Sequence, residues 1–350
     1  MLVALTCLAL AVPVSARGRV RLLGTAYEFN TPITIAGATI RVAEIPRARA
    51  RTRPDGSYRL AVPAHARVTP YIEADGYHTI YLQTFRTTGA DLVNVNFQTP
   101  TEAIFRALAA LLNIPLDANG SITDCAIVST VSTRNIRDLD YQQFRAYGAH
   151  GVPGATAFAR PPLVGAIYFN ANVLPDPAQP ETSEDGGVLW TRVQAGVYTL
   201  SAQSLASRFA SFVASCVPGR VINANPPWGL YQLAPPSPAQ LAARWSRTAR
   251  GATLRSLRVR GLPADSTVRA VCSGRGCPFA RRMFRPDRGR VDLLRGELFE
   301  PGATLSVIAF SHAYNAAGAR WRIGAHAAPR RTTLCVPLGE LQARRRCATS

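Results

Sequence analysis

The stretch that decides the fold is residues 36–64, AGATIRVAEIPRARARTRPDGSYRLAVPA. Apolar and polar residues alternate over 37–42 and again over 57–62, which is the pattern of strands with one buried face. Asp55-Gly56 lies between them and predicts a hairpin-type turn, because glycine adopts the positive φ that tight turns need. The stretch therefore predicts two half-buried β-strands with a turn before the second.

The residues that follow predict a further strand and turn. The run 68–72 is rich in β-prone residues and contains Pro70. Proline has no N–H group and removes one hydrogen bond from a sheet, so this strand is expected at a sheet edge. Asp75-Gly76 then predicts another turn.

The elements of this stretch recur in the same order later in the chain. Gly154-Ala155-Thr156 corresponds to Gly37-Ala38-Thr39, and Asp185-Gly186 corresponds to Asp55-Gly56. The separation between the Gly and the Asp is 18 positions in the first copy and 31 in the second. The extra 13 positions fall around LPDPAQPETSE, which we interpret as an inserted loop.

These two copies resemble the carboxypeptidase regulatory-like family, a transthyretin-like (prealbumin-like) β-sandwich that is repeated in secreted bacterial proteins. The matching residues are Gly37-Ala38-Thr39, Asp55-Gly56-x-Tyr58-x-Leu60 and Asp75-Gly76-Tyr77 in copy one, and Gly151-Val152-Pro153-Gly154-Ala155-Thr156, Asp185-Gly186 and Ala195-Gly196-Val197-Tyr198-x-Leu200 in copy two. The resemblance covers 18–98 well and 121–233 more loosely. It implies a structural or binding module rather than a catalytic one.

The predicted fold class is all-β, with tandem transthyretin-like or Ig-like β-sandwiches, one short connecting helix and a C-terminal β-sandwich. The 350 residues are enough for two or three domains of roughly 100–200 residues. The predicted divisions are a signal peptide at 1–16, a first sandwich at 18–98, a capped helix and linker at 99–120, a second, divergent sandwich at 121–233, a Pro-rich linker at 234–243 and a basic C-terminal sandwich at 244–347.

A single helix is predicted over 100–113, between the two copies. Thr99 at the N-cap, Pro100 at the first helical position and Glu102 at the third match a capping box. An apolar stripe follows at helical spacing, formed by Ile104, Leu108, Leu111 and Leu112. We expect this stripe to pack against the sandwiches.

The C-terminal sandwich is predicted from strand-like runs at 253–260, 267–272, 290–294, 304–310 and 319–323. Val271-Cys272-Ser273-Gly274-Arg275-Gly276-Cys277-Pro278, with the later Cys335-Val336-Pro337-Leu338-Gly339, resembles an uncharacterised C-terminal module of exported bacterial proteins. That module has a V-x-C-x-G-x-G-C-P core. No activity follows from this resemblance.

The first 16 residues, MLVALTCLALAVPVSA, predict export. They form an apolar run that ends in Val14-Ser15-Ala16, which suits signal peptidase and predicts cleavage before Arg17. Basic residues do not precede the run, and a buried first strand is the alternative interpretation. No other apolar run approaches the ~20 residues of a membrane-spanning helix. The expected location is extracellular or at the cell surface.

Six cysteines follow the predicted signal peptide, and an even number in an exported chain predicts disulfides. Locality within the predicted domains favours the pairs Cys125–Cys216, Cys272–Cys277 and Cys335–Cys347. The alternative is a metal site that combines Cys272 and Cys277 with the later pair, but this spacing is loose for zinc. We predict no metal and no other cofactor.

The charge is uneven along the chain. Every one of the 40 basic residues is arginine, and 21 of these arginines lie between 241 and 350 with 6 acidic residues. The densest clusters are Arg281, Arg282, Arg285, Arg288 and Arg290, and Arg344, Arg345 and Arg346. Such density predicts attraction to an anionic polymer, or to nucleic acid without sequence specificity. A solvated face, enriched in arginine by GC-rich coding, is the alternative.

Familiar catalytic patterns are missing from the sequence. None of the five histidines begins an H-x-x-E or H-E-x-x-H element, and neither a G-x-S-x-G elbow nor a phosphate-binding glycine loop is present. Asp124, Asp138 and Asp140 are possible carboxylate partners, but nothing in the sequence brings them together. We therefore predict no catalytic residues.

The best aromatic candidates for stacking on a sugar are Trp228 and Tyr231, in a Pro-rich turn. Core packing of the tryptophans is the alternative. The predicted function is that of a secreted, non-catalytic, modular β-protein with a binding or structural role at the cell surface. The candidate partner is a cell-wall glycan or an anionic polymer.

Two other functions stay open. One is an exported enzyme or accessory module that acts on glycans through a site in the second-domain loops. The other is a polyanion binder that uses the Arg-rich C-terminal domain, with Arg281, Arg282 and Arg285 as its candidate residues. A cleft with converging carboxylates or histidine would favour the enzyme, and an exposed aromatic or basic face would favour a binding module.

Overall fold

The structure is a computed structural model that describes residues 18–205, 207–286, 291–311, 313–338 and 343–347. The predicted signal peptide, Arg288 and Arg290 lie outside these residues. The chain forms two compact units. Unit 1 contains the residues up to 132 together with 139–201 and 211–230, and unit 2 contains 133–138, 202–210 and the residues from 231 onward.

The elements before residue 231 are mostly strands. They are β1 (Arg19–Glu28), β2 (Thr39–Val42), β3 (Arg49–Arg51), β4 (Ser57–Pro63), β5 (Arg67–Val68), β6 (Pro70–Ala74), β7 (Tyr77–Tyr81), β8 (Phe85–Arg86), β9 (Phe97–Thr99), α1 (Glu102–Leu111), β10 (Cys125–Thr130), α2 (Tyr141–Tyr147), β11 (Thr156–Arg160), β12 (Ile167–Phe169), β13 (Pro175–Asp176), β14 (Gly187–Val193), β15 (Gly196–Gln203), β16 (Phe212–Cys216) and β17 (Val221–Ala224).

The elements after residue 230 are all strands among the residues that are described. They are β18 (Gln240–Thr248), β19 (Gly251–Arg260), β20 (Thr267–Ser273), β21 (Arg281–Phe284), β22 (Val291–Leu293), β23 (Leu298–Phe299), β24 (Thr304–Phe310), β25 (Ala316–Arg322) and β26 (Arg330–Val336). Together with the earlier strands they confirm the all-β prediction. Helix α2 was not expected from the sequence.

The predicted repeat is present in unit 1 as a repeated topology. In the first copy β1 lies between antiparallel β4 and parallel β9, and in the second copy β10 lies between antiparallel β14 and parallel β17. The opposing sheets also correspond, because β6 lies between β2 and β7, and β15 lies between β11 and β16. The first copy is a sandwich in which β1 and β4 share a hydrophobic core with β2, β6 and β7.

A buried threonine holds the Gly-Ala-Thr segment in each copy. The Ala38 N–H donates to Thr52 Oγ1 at 2.8 Å, and the Ala155 N–H donates to Thr182 Oγ1 at 2.9 Å. The backbone N–H of each threonine returns a 2.9 Å bond to the carbonyl oxygen of the same alanine. Sequence reasoning missed both threonines, although each stands three positions before the Asp of the turn.

The Asp-Gly turns are also built alike. Asp55 Oδ1 accepts a 2.9 Å bond from the Ser57 N–H, and Asp185 Oδ2 accepts a 2.9 Å bond from the Gly187 N–H. Each carboxylate thereby closes the turn that starts the next strand. This contact is an Asx-type turn, which explains why Asp stands there in both copies.

Glycine is required at the second position of both turns. Gly56 has φ +73° and Gly186 has φ +79°. A Cβ atom at either position would lie 2.6 Å from a backbone oxygen, that of Ala26 or of Val131. Both the conformation and the close approach therefore exclude a side chain.

The sequence predicted a hairpin-type turn at Asp55-Gly56, but the structure shows that this turn does not join two paired strands. Strand β3 belongs to a nine-stranded sheet, whereas β4 pairs with β1 in the opposing sheet. The turn thus carries the chain from one sheet of the sandwich to the other. In the second copy the strand after Asp185-Gly186 is β14, so the Tyr198 strand, β15, corresponds to β6 and not to the strand of Tyr58.

The prediction that the Pro70 strand lies at a sheet edge is wrong. Strand β6 lies in the interior of the nine-stranded sheet, between β2 and β7. Pro70 is the first residue of this strand, where a missing N–H interrupts little of the ladder. Its carbonyl oxygen still accepts a 2.8 Å bond from the Leu82 N–H.

One continuous sheet contains strands from both copies. Its order is β13-β12-β14-β10-β17-β7-β6-β2-β3, and the two halves meet where β17 pairs in parallel with β7. Val221 stands opposite Ile80 in this pairing, and Ile222 stands opposite Tyr81. The division of this region into two separate domains, at 18–98 and 121–233, remains a prediction.

Helix α1 begins later than predicted. Its N-cap is Thr101, whose side chain accepts from the Ile104 N–H at 3.2 Å, and the predicted N-cap Thr99 is the last residue of β9. The chain stays extended up to 101 because β9 pairs with β1 through Thr99. Glu102 therefore becomes the first helical residue and does not form a capping box.

The helix packs on the nine-stranded sheet near the junction of the two copies. Phe105 and Ala109 are its buried residues, whereas Leu111 of the predicted stripe is 56% exposed. The Phe105 ring stacks on His78 of β7 with centroids 3.4 Å apart. The apolar face is thus rotated from the predicted one, but the helix contacts the sandwiches as expected.

Unit 2 is a β-sandwich. One sheet has the order β18-β19-β22, with β23 also paired to β19, and the other has the order β21-β20-β24-β25-β26. The core between them includes Leu254, Phe299, Val307 and Trp321. Four of these strands, β18, β21, β23 and β26, were not predicted, and β18 begins at Gln240, within the expected linker.

The three disulfides join the pairs that were predicted, Cys125–Cys216, Cys272–Cys277 and Cys335–Cys347. The first connects β10 to β16 and so bridges the two sheets of the second copy. Its Cα atoms are 5.6 Å apart. The other two lie within unit 2.

Replacing Thr182 with valine should destabilise unit 1 by about 1–3 kcal/mol, because the Ala155 N–H and the Val152 carbonyl would lose a buried partner. Native-state hydrogen exchange at the Ala155 amide measures this. Thr199→Val is the matched control, since that side chain is exposed in β15 and should change stability by less than about 0.5 kcal/mol. Equal effects of the two variants would contradict the role of the threonine.

Removing disulfides should have effects that follow loop length. The 91-residue separation of Cys125 and Cys216 predicts a loss of about 4.5 kcal/mol when both become alanine, against about 2 kcal/mol for the five-residue separation of Cys272 and Cys277. Denaturant unfolding measures both losses. Non-reducing peptide mapping checks the pairing, and a bond from Cys125 to a cysteine of unit 2 would contradict it.

Candidate functional sites

Trp228 packs at the edge of the unit 1 core. Its ring meets Phe85 edge to face with centroids 5.1 Å apart, and its Nε1–H donates to the Val93 carbonyl oxygen at 3.1 Å. The residue is half-buried. Part of the ring is therefore already in contact with protein.

Tyr231 belongs to unit 2, so the two aromatic candidates lie in different units. The guanidinium group of Arg137 stands over the Tyr231 ring, 5.1 Å from its centroid. Trp190 and Trp321 are buried core residues. Sugar stacking at Trp228 and Tyr231 stays a prediction.

The structure divides the predicted arginine cluster between two sides of a sheet. Arg281 and Arg282 are neighbours in β21, and side chains alternate along a strand, so they point to opposite faces. Arg282 lies on the core side, where it forms a 2.6 Å ion pair with Glu297 and stands over the Phe279 ring. Arg285 follows the strand and is exposed.

The strand register places Arg281 on the outer face of the five-stranded sheet together with other arginines. Buried residues of β20, β24 and β25, such as Val268, Val307 and Trp321, mark the core side. The alternate positions mark the outer face. We call the outward set the arginine face, and its members are Arg269, Arg281, Arg320, Arg322 and Arg330.

The arginine face has no acidic residue to neutralise it within its strands. The five strands contain seven arginines and neither Asp nor Glu. Arg322 of β25 stands directly opposite Arg330 of β26. Arg320 Nε donates to Ser306 Oγ at 3.2 Å, which holds one guanidinium group against the sheet.

One end of this outer face is apolar. Ile308 and Val336 are buried there, with Phe310 packed against them. Arg269 stands over the Phe310 ring, 4.7 Å from its centroid. Phe310 is the aromatic residue at the outward positions of the five strands, and it is already in contact with an arginine.

Sequence reasoning missed Arg269, Arg320, Arg322 and Arg330. Arg320 and Arg322 alternate with apolar residues inside the run 319–323, which was correctly predicted as a strand. Their common direction could have been read from that alternation. Arg330 could not, because β26 was not predicted.

A second candidate site is a cavity of about 320 Å³ lined by loops of the second copy together with Tyr27, Phe29, Asn30 and Gln98 of the first, which we call the second-copy pocket. Its chemistry-bearing residues are Phe144, His150, Phe169, Glu184, Asp185 and Asn223. These residues come from α2 and the loop after it, from β12, from the Asp-Gly turn that occurs in both copies, and from β17. The cavity lies wholly within unit 1.

Helix α2 positions one wall of the second-copy pocket. Asp140 caps it with a capping box, in which Asp140 and Gln143 exchange backbone-to-side-chain bonds. Phe144 then faces His150, whose ring meets it edge to face at 5.0 Å. His150 Nδ1 donates to the Gly148 carbonyl oxygen at 2.8 Å, which leaves Nε2 as the acceptor nitrogen of the neutral ring.

Asp185 differs electrostatically from its counterpart in the first copy. Burial raises the pKa of Asp185, opposed by the bond from the Gly187 N–H and by the nearby His150. Bonds from Ser57 lower the pKa of Asp55, which is fully exposed. The same turn residue is therefore exposed to solvent in one copy and largely buried in the other.

Asn223 supplies a buried amide to the pocket. Its side chain is 8% exposed, and its Nδ2 donates to the Gln98 carbonyl oxygen at 3.3 Å. No group among the described residues donates to its Oδ1. The carboxylates considered from the sequence are elsewhere: Asp138 pairs with Arg134 at 2.9 Å, and Asp140 is the helix cap.

Two candidate features are absent from the part of the chain that the structure describes. No group of three or more His, Cys, Asp or Glu side chains there is placed to hold a metal ion. No helix there combines the length and apolar character needed to cross a bilayer.

No protein-family model matches the chain, and no curated protein matches it. The carboxypeptidase regulatory-like family is thus not confirmed. Solved structures similar to the chain include an interface mutant of a type II cohesin–X-dockerin complex from Acetivibrio cellulolyticus, with 14% identity over 23% of this chain and 58% of that one and a TM-score of 0.20.

Two other similar structures cover more of the chain. The Bacillus anthracis TIE protein has 10% identity over 84% of this chain and 45% of that one, with a TM-score of 0.19. A DUF3823 family protein from Bacteroides ovatus has 9% identity over 61% of this chain and 99% of that one, with a TM-score of 0.17. The chain spans less than two thirds of the cohesin–dockerin and TIE chains. At these scores we draw no functional conclusion from the likeness.

Carbon-13 NMR of the carboxyl groups should show Asp185 titrating above the ordinary range of aspartate and Asp55 below it. A raised folded-state pKa means that ionising Asp185 costs stability, so its contribution falls as pH rises through that pKa. The lowered pKa of Asp55 has the opposite sign, and its contribution is lost as pH falls. Identical titration of the two carboxyls would contradict the difference in environment.

Proposed function

We propose that this protein is an exported, non-catalytic module that binds an anionic polymer at the cell surface through the arginine face of unit 2. The observation that carries the proposal is the composition of the outer face, which has five arginines, in strands that contain neither Asp nor Glu. Guanidinium groups bind phosphate, sulfate and carboxylate groups through paired hydrogen bonds.

Codon bias alone does not account for this face. GC-rich coding favours arginine over lysine, but it does not remove Asp and Glu from five strands or bring five arginines to one face of a sheet. Like charges directly opposite one another, as at Arg322 and Arg330, destabilise a sheet pair. A cost of this kind is expected where the charge serves binding.

The geometry suits a long, flexible anion laid across the strands. Neighbouring strands lie about 4.8 Å apart, and alternate residues of one strand lie about 6.6 Å apart. Arg320 and Arg322 therefore form a short row with Arg330 beside it. The basic half of this face offers no free aromatic ring, which favours a polymer without exposed bases over single-stranded nucleic acid.

Three disulfides support a location outside the cytosol, where such bonds persist. The resemblance to carboxypeptidase regulatory-like repeats of secreted proteins supports the same setting, and membership of that family is part of this proposal. The bound polymer would be an anionic glycan or a polyphosphodiester of the cell envelope.

The glycan-enzyme alternative is supported by His150, Glu184 and Asp185, which converge in the second-copy pocket. Glycosidases commonly use two carboxyls on opposite sides of the scissile bond, about 5–10 Å apart. Here the two carboxyls come from adjacent residues of one turn. We therefore propose binding rather than catalysis for this pocket.

The test is retention on heparin and on immobilised polyphosphate across a salt series. Changing Arg320, Arg322 and Arg330 together to Gln should lower the salt concentration needed for elution, and should reduce the slope of log affinity against log salt by roughly 2–3. The matched control is Arg49, Arg51 and Arg59 changed together to Gln. These exposed residues of unit 1 alter the net charge by the same amount.

Equal losses for the two triple variants would mean that net charge, and not the arginine face, controls retention. Retention unchanged in the first variant would overturn the proposal. Tighter binding to single-stranded DNA than to polyphosphate of matched charge would show a nucleic-acid partner instead.

A further inference from the structure

The second-copy pocket has a chemical character that differs from the rest of this basic chain. Arginine accounts for all 40 basic residues, yet none lines the cavity. Glu184 and Asp185 are both there, and His150 is the neighbouring residue that acts on Asp185. Within the pocket, the carboxylates therefore have no arginine partner.

The turn does not require its carboxylate to be buried. In the first copy the same turn is closed by Asp55, which bonds the Ser57 N–H and otherwise faces water. Asp185 makes the equivalent bond with one oxygen, Oδ2, to the Gly187 N–H. No described group donates to Oδ1. The fold uses one carboxylate oxygen, and the other remains available to a ligand.

The walls of the pocket indicate what else the ligand must contain. Phe144, Phe169 and Tyr27 line it, and aromatic faces attract an organic cation as well as the C–H surface of a ring. Asn223 adds a side-chain amide that is 8% exposed, with Nδ2 bonded to the Gln98 carbonyl oxygen and Oδ1 as an acceptor. A volume of about 320 Å³ is at the small end of ligand sites and fits a single ring.

From these contacts we infer that the second-copy pocket binds a compact organic ammonium ion on a hydroxylated ring, which is the chemistry of an amino sugar. The ammonium group pairs with Asp185 and Glu184, Asn223 Oδ1 accepts from a hydroxyl group, and the aromatic side chains cover the ring. This site is separate from the arginine face and does not depend on it.

The experiment is an NMR titration of the full chain at neutral pH with glucosamine, and in parallel with glucose, which has a hydroxyl group in place of the amine. Glucosamine should shift the Gly187 amide resonance in a saturable way. Glucose should bind roughly tenfold or more weakly, because it cannot form the charged hydrogen bond. N-Acetylglucosamine, which is neutral, should behave like glucose.

Three substitutions locate the site. Asp185→Asn keeps an oxygen for the Gly187 N–H but removes the charge, and it should weaken glucosamine binding roughly tenfold. Glu184→Gln, at an exposed side chain that the fold does not use, should weaken it to a smaller extent. Asp55→Asn makes the same change in the same turn of the first copy and should leave binding unchanged.

Several results would overturn the inference. These are equal affinities for glucosamine and glucose, equal effects of Asp185→Asn and Asp55→Asn, or the absence of any saturable shift. The variant with Arg320, Arg322 and Arg330 changed to Gln should bind glucosamine normally. Failure of polyanion binding would therefore leave this inference intact, and failure of glucosamine binding would leave the proposed function intact.

Discussion

A buried threonine hydroxyl at the sheet crossing is the contact on which both halves of unit 1 depend. It binds the backbone of the Gly-Ala-Thr segment, and three residues later the Asp-Gly turn carries the chain to the opposing sheet. The backbone at this crossing turns too sharply to pair only with itself, so a side chain must satisfy a buried N–H. Thr52 and Thr182 do this in the two copies.

In unit 2, side chains alternate along each strand, and this alternation determines both which residues pack in the core and which arginines share the outer face. The same alternation that buries Val307 and Trp321 sends Arg320 and Arg322 outward. It also divides Arg281 from Arg282, so a cluster that is dense in sequence is thinner in space. Conversely, arginines that are up to 61 positions apart in sequence, from Arg269 to Arg330, share one face. The relevant charge density is that of a sheet face, not of a sequence window.

Local patterns predicted local structure well. The alternation around Leu60, the turns at Asp-Gly and the pairing of nearby cysteines all depend on a few neighbouring residues or on locality within a unit. Errors arose where a distant partner decides the outcome. The Pro70 strand is interior because β2 and β7 pair with it, and α1 begins late because β9 continues its pairing with β1.

The candidate sites follow the same rule. Neither Trp228 nor Arg282 has contacts that the sequence reveals, since Val93 and Glu297 reach them only in the folded chain. The second-copy pocket was foreseen only as a region, the loops of the second sandwich. Asp185 itself was recognised as a turn residue, and its position in a cavity depends on α2, which no apolar periodicity in the sequence had indicated.

The repeat gives unit 1 its own internal reference for separating structure from function. Asp55 and Asp185 make the same bond in the same turn, so whatever the fold requires of this carboxylate is present at Asp55. The differences at Asp185 are its burial and its nearness to His150, and the bond to the Gly187 N–H needs neither of them. Burying an ionisable group costs free energy, which hydrogen bonds, a neighbouring charge or a bound ligand can offset. The insertion before the second turn falls around residues 174–184, and Glu184 at its end lines the cavity. The turn-closing bond is thus present in both copies, and we attribute the further features of the second copy to the ligand that its pocket binds.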